Sequence, residues 1–147
     1  MLALALVAIP AVVFAGGIKG KAKAEPPLRD VKADFKFVAS GEVLTITGKG
    51  KGFDPEATYV SLVYGKGSLV EGPEACEPAG TLDMDLMLVG EWDVSDKGKR
   101  TLNNLGVGPA SGAPLDLIGT ISVRRLVFIP PLGGEFPIVV EACGAVK

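Results

Sequence analysis

Apolar and polar residues alternate with a period of two through much of the chain after Asp34, and the elements this predicts are strands. Phe35 and Phe37 alternate with polar neighbours, and the run from Glu42 to Gly48 sets Leu44 and Ile46 on one face against Thr45 and Thr47 on the other. Joined at Ser40-Gly41, the two runs predict a β-hairpin with one buried face. Thr58 to Tyr64 reads differently: Tyr59, Ser61 and Val63 share one face, Val60, Leu62 and Tyr64 the other, and apolar groups on both predict an interior strand. Strand character returns at Leu86 to Val94, Lys99 to Leu105, Thr120 to Ile129 and Phe136 to Ala142. With seven or eight such runs and no amphipathic helical repeat, the expected fold is all-β, an antiparallel two-sheet Greek-key sandwich.

The intervals between these runs are expected to carry the chain around that sandwich. Gly65 to Asp85 loses periodicity and collects acidic residues around Cys76, as a long connection between the sheets would, and Gly106 to Asp116 reads as a second crossover. Ser95 to Gly98 predicts a hairpin turn, and Pro130-Pro131 with Gly133-Gly134 breaks the chain before the last strand. Gly48-Lys49-Gly50-Lys51-Gly52 reads as a flexible basic turn. It lacks the GxxxxGK[ST] spacing, and the helix after it, that a phosphate-binding loop needs.

Ahead of the strands lie two segments of other character, giving an organisation of 1–15, 16–33 and 34–147. Leu2 to Ala15 is apolar apart from Pro10 and ends in Val13-Phe14-Ala15, a small-x-small pattern that signal peptidase cuts, here before Gly16. It reads as a signal peptide or a short N-terminal anchor, since it falls short of the roughly 20 residues a helix needs to cross a bilayer. Any membrane contact is expected only through this segment, if it stays uncleaved. Gly16 to Ala33 carries Lys19, Lys21, Lys23, Arg29 and Lys32 with little to bury, and reads as an exposed basic tether with an extended Pro26-Pro27 element.

Composition narrows the chemistry more than it names it. The chain has 20 glycines and 11 prolines, the punctuation of many short strands joined by tight turns. A formal net charge of −2 argues against nucleic acid as a partner, because no overall positive charge is present to release its counterions. Histidine is absent altogether, which removes the usual neutral-pH acid-base group and the commonest transition-metal ligand. No catalytic residue and no cofactor is therefore assigned. Weak calcium candidates are Asp83 and Asp85 with neighbouring glutamates, by their oxygen ligands. Asp93, Asp96 and Gly98 resemble a calcium loop without its spacing. Tyr59, Tyr64 and Trp92 are candidates for a small-ligand or glycan platform if they lie on an exposed face.

The two cysteines, Cys76 and Cys143, are most economically a disulfide in a chain that carries an export signal. The ending Ala142-Cys143-Gly144-Ala145-Val146, preceded by Arg124-Arg125 and Gly133-Gly134, resembles the last strand of the copper/zinc superoxide dismutase sandwich and of chordin-type secreted domains. That resemblance covers about a quarter of the chain and implies a bond from the terminal strand to a cysteine in a long mid-chain loop, the place of Cys76. It departs at the metal site, where those dismutases use several histidines.

The function expected is a non-catalytic secreted or cell-surface β-sandwich, a structural or interaction module whose partners are other copies of itself or cell-surface components. One form of it is a subunit of an extracellular fibre, with the segment from Pro26 to Phe37 donating a strand to a neighbour. Alternatives are a dismutase-like or other metal-assisted enzyme and a small-ligand or glycan binder.

Overall fold

A computed structural model describes residues 18–24, 31–66, 76, 82–93 and 98–147. The apolar segment 1–15 lies outside them. Eight strands form two four-stranded antiparallel sheets, confirming the all-β sandwich. The first sheet has the order β1-β2-β3-β6, built from Ile18–Ala24, Lys32–Ser40, Val43–Lys51 and Lys99–Asn103; the second has the order β5-β4-β7-β8, from Leu88–Glu91, Tyr59–Gly65, Ile118–Ile129 and Gly134–Ala145. Chain passages from β3 to β4, β5 to β6 and β6 to β7 each move between sheets. Gly106 to Asp116 is thus a crossover as expected.

The expected alternation is realised in the hairpin β2-β3. Phe35, Phe37, Leu44 and Ile46 point into the core while Lys36, Thr45 and Thr47 face outward. The interior placement of β4 is also realised, since it pairs with β5 on one side and β7 on the other.

Three expectations are corrected. The stretch 16–33 is not simply a tether: Ile18–Ala24 forms β1, paired in register with β2 from Ile18↔Ala39 to Ala24↔Ala33. Its buried positions Gly20 and Ala22 are small because Phe37, Leu115 and Val146 crowd Gly20, so after Ile18 no large apolar residue marks it as a strand. Gly48 to Lys51 is not a turn but the end of β3. A Cβ on Gly48 would sit 2.9 Å from the Trp92 ring, and one on Gly50 2.5 Å from the Phe53 ring, so the alternating glycines make room for core aromatics. Lastly, the connection from β4 to β5 does not cross between sheets, because those strands are neighbours.

Each side of the sandwich is latched between its sheets. On one side Lys21 and Lys147 exchange both backbone hydrogen bonds, at 3.1 and 3.0 Å, which joins β1 to the residues after β8. On the other, the Asp93 amide donates to the Thr101 carbonyl at 2.8 Å.

Candidate interaction surface

The three aromatic candidates all lie inside. Tyr59, Tyr64 and Trp92 are at most 1% exposed, so none offers a ring to a ligand, and the exposed platform expected of them is not present. Trp92 fills the space between the sheets, edge-on to Phe35 at 5.7 Å and tilted against Phe53 at 5.0 Å. Its Nε1–H donates to Ser61 Oγ at 2.9 Å, which satisfies the one polar group an indole brings into a core. Tyr59 packs edge-on against Phe53 at 4.8 Å and its hydroxyl accepts from the Asp54 amide at 3.1 Å. The burial of Tyr59 and Tyr64 follows from the interior placement of β4, which is apolar on both faces, and Trp92 supplies core area between the sheets.

Arg100, on β6, lies in the same aromatic cluster, with its guanidinium carbon 5.0 Å from the Tyr59 ring centre and 5.6 Å from that of Phe53. One terminal nitrogen donates to the Asp54 carbonyl at 2.7 Å, whereas Nε and the other terminal nitrogen have no hydrogen-bond partner among the described residues.

Cys76 and Cys143 form a disulfide with their Cα atoms 5.8 Å apart. Cys143 stands opposite Ser122 in the ladder between β7 and β8, on the same face as Leu62 and Tyr64 of β4. Cys76 therefore covers the outer face of the second sheet, which is why β4 is apolar on both sides. Arg124 fastens the arrangement through neutral acceptors: its guanidinium donates to the Tyr64 hydroxyl at 2.7 Å, the Cys76 carbonyl at 2.6 Å and the Pro137 carbonyl at 3.0 Å. Ser122 Oγ lies 2.8 Å from the Tyr64 hydroxyl and completes this buried polar chain.

The calcium candidates are used locally. Asp83 caps the short turn Met84–Leu86 by accepting from the Asp85 amide at 3.1 Å, and both carboxylates are exposed. Glu71, Glu74, Glu77 and Asp96 lie outside the described residues. Among the described residues no group of three or more His, Cys, Asp or Glu side chains could hold a metal ion. For copper or zinc the available donors do not fit: the chain has no imidazole, and both sulfurs are committed to one another.

What the surface does present is an arm. β4 pairs with β7 only as far as Arg125, so the rest of β7 and the start of β8 run past the sheet as a two-stranded ribbon closed by the turn Pro130–Leu132. From Leu126 to Gly134 the arm holds no charged residue. Phe128 is 58% and Leu132 64% exposed, with Phe136 and Val139 beside them. In the ladder Val127 stands opposite Phe136 and Phe128 opposite Glu135, so successive pairs put apolar groups on both faces of the ribbon. Sequence reading identified both strands and the turn, but not that the ribbon extends beyond its neighbour.

No protein-family model matches the chain, and no curated protein matches it in sequence.

Proposed function

We propose that this chain is a non-catalytic, extracellular β-sandwich module that works by binding, with the arm formed by β7 and β8 as its apolar contact. The observation that carries the reading is the cluster of Phe128, Leu132, Phe136 and Val139, four of the nine large hydrophobic residues exposed among the described residues, gathered on one projecting hairpin. Clustered exposed apolar area of this kind marks interaction sites, whereas scattered single residues do not. The disulfide supports an oxidising location, outside the cell or at its surface. It also joins the terminal strand to the middle of the chain, as the resemblance to the dismutase and chordin-type sandwiches implies, which supports a scaffold shared with them but without their metal chemistry.

Fibre assembly by strand donation has less support in its expected form. Lys32 to Phe37 already pair with β1 and β3 on their two sides, so that part of the donor segment is committed within the chain.

Expression of the full reading frame in a secreting host tests the reading. The expected result is oxidised protein outside the cell, while Phe128→Ser with Leu132→Ser melts as the wild type does but loses self-association or attachment to the cell surface. Reduced protein retained inside, or purified protein with stoichiometric copper or zinc and dismutase activity, overturns it.

A further inference from the structure

The overall charge of −2 conceals a surface of opposite sign. In the first sheet the outward positions of four strands fall into rows. Lys32, Lys51 and Lys99 stand directly opposite one another across β2, β3 and β6, and all three are exposed. The next row reads Lys23, Asp34, Lys49 and Thr101, and the one after it Lys21, Lys36, Thr47 and Asn103. Among the described residues, seven of the chain's eleven lysines lie in these rows with two carboxylates, that of Asp34 and that of Asp93 opposite Thr101, a local net charge of five positive. At about 4.8 Å between strands and about 6.8 Å between alternate residues, these charges occupy an area about 14 Å on a side.

Like charges directly opposite in a sheet repel. Nothing in the fold requires Lys32, Lys51 and Lys99 to be aligned, because the inward neighbours Val31, Ala33, Gly50 and Arg100 set the packing. A row of three facing lysines is relieved by an anion laid across it. The remaining members of the face, Thr45, Thr47, Thr101 and Asn103, supply hydroxyl and amide groups, and the half-buried Val38 and exposed Val43 stand at the end away from the lysine row.

We infer that the outer face of the sheet β1-β2-β3-β6 binds an anionic polysaccharide, with sulfate or carboxylate groups on the lysines and sugar hydroxyls on the threonines and Asn103. Three features favour this polymer over other polyanions. Among the described residues the face has no aromatic ring on which bases could stack and no arginine to read base edges. It has no apolar wedge among the lysines to enter a bilayer. Its threonines suit a chain of hydroxyls. Only the identity of the natural ligand rests on the extracellular reading above; binding to a purified polymer and the location of the protein succeed or fail separately.

Binding of the full chain to heparin, duplex DNA and phosphatidylserine vesicles at 0.15 M NaCl tests the inference. Heparin is expected to bind at least tenfold more tightly than the other two. Lys51→Gln with Lys99→Gln should weaken it tenfold or more and lower the dependence of log K on log salt by about one unit per lysine removed, taking the nucleic-acid limit as a guide. The charge-matched pair Lys66→Gln with Arg125→Gln, both at the second sheet and away from this face, should leave it within twofold. Far-UV circular dichroism and melting confirm that each variant is folded, and relief of the facing charges should leave the first pair melting no lower than wild type. Equal weakening by the two pairs, no binding to heparin, or tighter binding to DNA or vesicles overturns it.

Discussion

Replacing Trp92 separates a core role from a site role. Its indole contacts Phe35 and Phe53, overlies Gly48 and donates to Ser61, and it is 1% exposed. Trp92→Ala removes that packing from a position walled by two sheets that cannot close together, which costs about 3–5 kcal/mol. The Ser61 hydroxyl, fully buried, also loses its donor, adding about 1 kcal/mol. For a domain of this size roughly 4 °C in Tm accompanies each kcal/mol, so Trp92→Ala should melt about 16–24 °C below wild type. Trp92→Phe keeps a ring between the sheets and should lose only about 1–2 kcal/mol. Melting followed by far-UV circular dichroism reads both, since the signal does not depend on the only tryptophan. The reasoning is refuted if Trp92→Ala melts within a degree or two of wild type, or if the phenylalanine variant is the less stable.

Two further perturbations test the frame. Cys76→Ser with Cys143→Ser opens a loop with a sequence separation of 67, and the chain-entropy relation gives a loss of about 4 kcal/mol, readable as a lower urea midpoint; unchanged stability would mean that the bond does not constrain the unfolded chain. Leu105 is 72% exposed with a φ of +48° and is followed by Gly106 at +75°, while the Val107 amide donates to the Asn104 carbonyl across the turn. Positive φ at both central positions is the type I′ pattern that favours Asn-Gly, so Leu105→Asn should raise stability by about 0.5–1 kcal/mol, and a lower Tm would refute that account of the turn.

How much of this was legible depended on where the partners of a residue lie in sequence. The hairpin β2-β3 was readable because Phe35, Phe37, Leu44 and Ile46 alternate with polar residues beside them, and β4 because both of its faces are apolar. β1 was not, since Gly20 and Ala22 are small to fit under Phe37, Leu115 and Val146. The glycines of β3 signalled a turn because Trp92, which Gly48 accommodates, arrives from elsewhere in the chain, and because Phe53 folds back over Gly50 from just beyond the strand. The cysteine pair was readable from inventory alone, yet the sheet face it covers was not. The basic face was hidden most completely: its lysines come from four strands spread between Lys21 and Lys99, and the acids elsewhere cancel them in any whole-chain sum.

A strand at the rim of a sheet ordinarily peels away by itself when a protein breathes. In this molecule β1 is clasped to the tail of the opposite layer through Lys21 and Lys147, and Asp93 grips Thr101 across the other flank. Neither rim can lift off without first unhooking the layer across from it, so loosening at either flank draws in both layers together.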